Sequence, residues 1–403
     1  MGDREPRSLE TRIPAPNGGL PPIPDSAGSG SSDMTSPVAG LQFRGRTLAF
    51  TQVPDWRQDA WDDWVVDAPT GHMHQCHWWA SPLRAYGMTS RVVAGVDGNV
   101  FVGGTLFRST PLPFLPRQII ESLDGPVFAA WDASYARPYA DEIATYARET
   151  GALAVVFRGC PDPIIHGDLA AALRSQQGDV VLSQGVTDAI IDLDGQTTDS
   201  LLRGCSHGVR YQLKRAKRSN VVVEQLTEPE RLRAAYETWM ATARRKAFES
   251  VRPWPALEPV SRHIAASGAG VVFGAIVDGT VVAAVLVTYI GRRAIYVYGG
   301  HLDGAEQYAP AHLLQLTAIE EAIDRRFSEY SFGGLPARGD AEKSGIDRFK
   351  LSFGARPKPT SDTITWRRNL RLYKAFTSVR EQRAGARIEQ ILRRRAVVRG
   401  SNG

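Results

Sequence analysis

The chain has 403 residues, 43% of them hydrophobic, enough to bury the cores of two domains of ordinary size. No run of about 18 uninterrupted apolar residues occurs and the opening MGDREPRSLE lacks a signal peptide's apolar segment, so spanning helices and secretion are not expected and the cytoplasm is. Three scattered cysteines, Cys76, Cys160 and Cys205, exclude a disulfide framework or a CxxC zinc knuckle, while the net charge of +5 gathers in VRYQLKRAKR (209–218) and in an arginine-rich tail, which favours phosphate-bearing partners.

Residues 1–42, rich in Pro, Gly and Ser, read as a disordered leader. SRVVAGVDGNVFVGGTLFRS then predicts a hairpin turning on Asp97–Gly98. YADEIATYARETG predicts a helix ending at Gly151, followed by the buried strand ALAVVFR. In between, GHMHQCHWW (71–79) gathers His72, His74, Cys76 and His77. In an extended segment His72, His74 and Cys76 would share a face, but the sequence offers no second cluster of ligands, so no metal is expected.

The second half begins with the basic segment and TEPERLRAAYETWMATARRKAF, a helix for which Thr227 is the N-cap candidate and Glu230 its capping-box partner. GVVFGAIVDGTVVAAVLVTYIGRRAIYVYGG predicts three strands joined at Asp278–Gly279 and Gly291–Arg292, followed by the helix PAHLLQLTAIEEAIDRR and the strand EYSFGG. Helix, three-stranded meander, helix, strand is the order of a GNAT-type acyltransferase, whose central strands splay to admit a thioester or ester donor. The first half has its own meander, helix and strand. The expected fold is therefore α/β (α+β), with two tandem GNAT-like domains around a cleft. Their expected bounds are 43–185 and 186–362, with 363–372 able to return to the first and a basic, helical tail over 367–403.

Four segments carry a family resemblance: YSFGGLPARGDAEKSGIDRFKLSFGARP, RYQLKRAKRSNV, TARRKAF and AIYVYGGH. In order and spacing, from about residue 61 to 357, the chain resembles the Fem-type (FemABX) peptidyltransferases. The resemblance implies transfer of an amino acid from aminoacyl-tRNA to a side-chain amine of a uridine-diphosphate- or lipid-linked peptidoglycan precursor, in cell-wall biogenesis. A peripheral contact with the inner membrane face is compatible with it. Aminoacyl-tRNA is a co-substrate, and no further cofactor is implied.

Site roles follow from the resemblance. Lys350 would hold the acceptor end of the tRNA and the reaction's oxyanion, and Phe349 would stack on the terminal adenine. Arg245, with Arg244 as its rival in register, would fork onto the precursor diphosphate. Tyr296 and Tyr298 alternate with apolar neighbours, so both are expected on one strand face, toward the acceptor peptide. Arg210, Lys214 and Lys217 would meet tRNA. In the first domain QCHWWASPLRAYG matches at Gln75 and Trp79, has Cys76 for serine, and has Leu83 at the basic position with Arg84 one step later, so Trp79 and Arg84 are the candidate substrate contacts. DGPVFAAWD carries Asp124 where arginine is usual, which points to a different acceptor. The long helical hairpin of some members is absent, the segment ESVRPWPALEPVSRHIAASG reading as a short proline-rich loop.

Two other readings stand beside this one. A GNAT-like N-acyltransferase using acyl-CoA in cell-envelope or exopolysaccharide modification would cradle pyrophosphate in a glycine-rich loop before a helix. Here EQYAPAHLL keeps Gln307 but has Pro310, which lacks an N–H, at the first glycine position. A basic nucleic-acid-binding module would need aromatic residues among its arginines, and the tail offers Tyr373 and Phe376.

Overall fold

The computed structural model describes residues 48–112, 116–246, 251–335 and 345–373, so the expected leader and the tail beyond Tyr373 lie outside it. The first lobe starts with β1 (Phe50–Gln52), α1 (Gln58–Asp67) and the single turn α2 (His77–Ala80). The hairpin β2 (Thr89–Asp97) and β3 (Val100–Pro111) follows. It turns on Gly98–Asn99, one residue later than expected, because Asp97 is drawn into the ladder opposite Val100. Next come β4 (Gln118–Leu123), β5 (Val127–Phe128), α3 (Ala136–Glu149), β6 (Ala152–Arg158), α4 (Pro163–Arg174) and β7 (Asp179–Ser183).

The second lobe runs through β8 (Thr187–Asp192), α5 (Thr198–Gly204), α6 (His207–Arg218), β9 (Val222–Gln225), α7 (Pro229–Lys246) and α8 (Trp254–Ser267). The meander β10 (Gly270–Val277), β11 (Thr280–Ile290) and β12 (Arg293–His301) leads into α9 (Pro310–Asp324), β13 (Glu329–Leu335), α10 (Gly345–Ser352) and β14 (Arg356–Pro359). The last strand, β15 (Thr363–Arg367), crosses back and inserts between β6 and β7, antiparallel to both. Two sheets result, ordered β1-β2-β3-β4-β6-β15-β7, with β5 beside β3, and β14-β8-β13-β12-β11-β10-β9. Among the described residues no helix is long and apolar enough to cross a membrane.

Two local expectations change. α7 starts at Pro229 rather than at a Thr227 cap, the carbonyl of Glu228 accepting the first helical bond from Leu232. Proline suits this first helical position, where no N–H is needed. The segment read as a loop contains α8, despite Pro255 and Pro259. Pro255 sits in the first turn, while Leu257, Val260 and Ile264 on one face are fully buried, and this packing outweighs the hydrogen bond lost at the exposed Pro259.

One apolar core spans both lobes. Trp61, Val65, Trp79 and Leu106 of the first pack in the same cluster as Leu232, Trp239, Leu257 and Leu286 of the second. Each such buried side chain contributes about 1.5–3 kcal/mol, so the lobes are welded by the hydrophobic term. The β11–β12 turn adds a backbone link, Gly291 N–H donating to Val66 O at 2.8 Å. Gly291 has a left-handed φ of 59°, and a Cβ there would meet Ala68 O at 2.5 Å, so only glycine fits this junction. A second core, with Tyr330, Phe332 and Phe353, fills the opposite face of the second sheet under α6 and α9.

Candidate active site

Each sheet contains one parallel pair, and the two pairs differ. β4 and β6 remain paired to the end of β4, in continuous register from Ile119 to Leu123 after one shift at Gln118. β12 and β13 pair only over Arg293–Ile295 and Glu329–Ser331, although β12 continues to His301 and β13 to Leu335. Beyond Ile295 and Ser331 these strands no longer pair with each other, which opens a gap between their carboxyl ends. The open cleft belongs to the second lobe.

Lys350 stands at this cleft. It lies on α10, and its Nζ donates to the carbonyl of Gly334, near the end of β13, at 2.5 Å. Burial lowers its pKa from the ordinary lysine value, opposed by the carboxylates of Asp347 and Asp188. Phe349 points elsewhere. Its half-buried ring meets His312 at 5.1 Å and Phe353 at 5.2 Å, both edge-on, and so locks α10 to the start of α9. There Ala309 has a left-handed φ of 53° and Pro310 fills the first helical position, so the first turn lacks one anion-facing N–H.

The tyrosines do not share a face. Leu286 pairs with Tyr298 but Val287 with Tyr296, so Val297 bulges out of the ladder and the alternation reverses. Tyr296 packs toward the Phe332 side, its ring 6.2 Å from Phe332 across the splay. Tyr298 packs toward the joint core, stacked 5.6 Å from Trp239. Gly299 lets Tyr296 lie flat, since a Cβ there would come within 2.2 Å of its hydroxyl. Burial pushes the Tyr296 phenol up to about 12, so it stays a neutral donor.

The first lobe contributes a polar wall absent from the sequence reading. Gln75, fully buried, donates to Ser122 Oγ and Leu123 O and accepts from Thr105 Oγ1 and Leu106 N, fixing segment 122–124 beside the histidines. His74 Nδ1 then lies 2.6 Å from Asp124 Oδ2, and His72 Nδ1, which accepts the His74 backbone N–H, lies 3.5 Å from the same oxygen. Burial lowers His72 to about 3, so its ring is neutral. Burial opposes ionisation of Asp124, but the hydrogen bond with His74 and the charge of Arg293 hold it below the ordinary carboxylate range. The partner that the sequence did not offer His72 and His74 is thus Asp124, fifty residues on. These three are the one group among the described residues with ligand atoms close enough to hold a metal ion, all within 4.8 Å, and hydrogen bonds already link them.

Asp188 and Arg252 were also missed. Asp188, on β8 opposite Gly334, has its pKa raised to about 6 by burial and by Asp124, opposed by Arg293 and Lys350. It is the carboxylate that links the Lys350 end of the cleft electrostatically to the first-lobe wall. Arg252 donates to Trp79 O at 2.6 Å and lies 4.0 Å over the Trp79 ring, near Tyr298 and Arg108. Burial lowers its pKa to about 10, and no carboxylate pairs with it among the described residues. Nothing in ESVRPWPALEP marks it, because only the fold brings it to Trp79.

The other candidates lie apart from Lys350. Arg245 sits at the end of α7 by the last residues of β12, ion-paired with Asp303 and donating to His301 O at 3.1 Å. It is at the carboxyl rim of the splay, with its charge partly satisfied. Trp79 is 2% exposed and serves as the floor under Arg252, while Arg84 is exposed near His77. Arg210, Lys214 and Lys217 form an exposed stripe on α6, opposite the buried Val209, Leu213 and Ala216. Arg210 also bonds the carbonyls of Leu202 and Cys205 at the end of α5.

Residues 203–351 match the sequence profile of the acetyltransferase (GNAT) domain. A crystal structure of FemX superposes with a TM-score of 0.67 at 17% identity, covering 81% of this chain and 99% of that one. L-PGS from Bacillus licheniformis gives 0.51 at 14% identity, over 80% of this chain and 96% of that one. A conserved protein of unknown function from Bacteroides thetaiotaomicron gives 0.53 at 11%, over 79% and 99%. No curated protein matches the sequence. At these identities the likeness is one of fold, and it extends over both lobes. The chain is therefore an acyltransferase with a GNAT domain over residues 203–351, in a two-lobed fold similar to that of FemX.

Proposed function

We propose that the protein is an aminoacyltransferase that moves an amino acid from aminoacyl-tRNA to the side-chain amine of a peptidoglycan precursor. The observation that carries this reading is Lys350, a partly desolvated ammonium bonded to Gly334 O at the mouth of the β12–β13 splay. The amine attacks the ester carbonyl, an oxyanion forms, and the ribose oxygen leaves with a proton. A fixed cation beside that oxygen stabilises charge that appears only in the transition state. The incoming ammonium must first lose a proton. Asp188, raised to about 6 and within electrostatic reach of Lys350, suits that task near neutral pH. Arg252 on Trp79 would receive an anionic part of the acceptor, in place of the basic residue lacking at Leu83.

The GNAT profile over 203–351 favours acyl-CoA as the rival donor. Against it, the turn before α9 lacks the glycines and, at Pro310, one of the N–H groups that would cradle a pyrophosphate. The two readings separate on incubating the purified protein and precursor with labelled aminoacyl-tRNA, and in parallel with labelled acetyl-CoA. Label entering the precursor from aminoacyl-tRNA supports the first; label entering only from acetyl-CoA removes it.

A further inference from the structure

On the first lobe a cavity of about 440 Å³ opens where α3 ends, apart from the cleft residues described above. Three arginines, Arg117, Arg148 and Arg368, line it together with the amides Gln176, Gln177 and Asn369 and with Trp366, and no carboxylate takes part. None of the three arginines forms an ion pair among the described residues. Asp141, which Gln176 contacts, is already paired with Arg137. Burial, and then the charges of Arg148 and Arg117, push Arg368 below its ordinary value, so the guanidinium groups repel one another. An anion among them would turn that repulsion into attraction.

Two details point the same way. Trp366, which lines the cavity, is 1% exposed, and its indole N–H has no acceptor among the described residues, leaving a buried donor open to a partner. The end of α3, whose free carbonyls would repel an anion, is already satisfied: Arg368 donates to Ala147 O at 2.7 Å, and Thr150 donates to Tyr146 O through both its N–H and its hydroxyl. Leu153, Leu372 and Ala144 add an apolar floor, and the volume is in the range of small-ligand sites.

We propose that this cavity binds a phosphate-bearing small molecule of about nucleotide size. Guanidinium groups match phosphate oxygens in pairs, and three arginines on one cavity, which keep donors beyond those spent on Ala144 O, Thr145, Ala147 O and Ala152 O, suit a dianion better than a carboxylate. The site is independent of the transfer reaction proposed above.

Calorimetric titration of the full chain with inorganic pyrophosphate, and separately with AMP, tests this. Saturable binding at one site is expected, weakened about tenfold or more in Arg117→Gln/Arg148→Gln, whose side chains are exposed and dispensable for the core. Arg137→Gln, which alters an exposed arginine on the same helix, should leave binding unchanged. Absence of saturable binding, or equal affinity in the double variant, overturns the proposal. Binding to phosphatidylglycerol vesicles without binding to either soluble probe overturns it too, the charges then forming a patch for a lipid surface.

Discussion

The Lys350 ammonium donates to the carbonyl of Gly334 at 2.5 Å, which ties the helix carrying the lysine to the strand that borders the cleft. Replacing Lys350 by Met keeps the stem and removes the charge. Transfer should fall by about 100-fold or more, as on loss of an oxyanion donor. The melting temperature should move little, since the lost hydrogen bond contributes on the order of 1 kcal/mol. Steady-state kinetics beside a thermal melt checks both, and undiminished turnover would mean that the lysine only braces α10.

Asp188 sets an acid limb. With its pKa raised to about 6, the carboxyl takes up a proton as pH falls through that value and can no longer accept one from the incoming amine. Turnover should decline below about pH 6, and Asp188→Asn should be slow at all pH values with that limb flattened. Stability moves the other way. A carboxyl bound to its proton more tightly in the folded state than in the unfolded costs stability as pH rises past the unfolded value, and the cost is complete above the folded value. The Asn variant should therefore be more stable than the parent at pH 8 and not at pH 4. Loss of both activity and stability would point to a merely structural aspartate.

His312 governs stability at low pH. Burial against Phe349 and Phe353 lowers it to about 4, so the folded protein keeps the ring neutral where the unfolded chain would protonate it. Stability from this group is complete above about pH 6.5 and is lost as pH falls toward 4. The loss should reach about 2 kcal/mol, somewhat less than the full shift implies, since the ring is not completely buried. Denaturant unfolding of the parent and of His312→Gln at pH 7 and pH 4.5 measures it, and the parent's excess loss should disappear in the variant.

Arg252 and Arg245 should differ in kind. Among the described residues Arg252 has no carboxylate partner, and it lies on Trp79, whereas Arg245 is paired with Asp303. If Arg252 receives the acceptor's anionic part, Arg252→Ala should raise KM for the precursor about tenfold, with a smaller change in kcat, and exceed the effect of Arg245→Ala. The reverse order would return the phosphate contact to the end of α7.

How much of this was legible depends on the range of the signal. The β10–β12 meander could be read because its turns, Asp278–Gly279 and Gly291–Arg292, are local chemistry, and the block around Lys350 because its residues are contiguous. The bulge at Val297 could not. The sequence around it alternates as a regular strand does, and only the pairing of β12 with β11 shows one residue too many, which sends Tyr296 and Tyr298 to opposite faces. α8 was hidden by its prolines, whose cost is local while the compensating burial is tertiary. Asp124 beside His74, and Arg252 on Trp79, are separated by 50 and 173 residues, and no spacing rule reaches that far. The histidine cluster was visible as a cluster but not as a network, since its carboxylate lies on another strand turn.

The central claim is the identity of the donor. Mass spectrometry of the precursor after incubation with charged tRNA, with Lys350→Met as control, tests it most directly. The account predicts a precursor heavier by one or more aminoacyl residues, formed by the parent and not by the variant, with no change when acetyl-CoA is the donor. A precursor left unmodified by charged tRNA but acetylated from acetyl-CoA would contradict it.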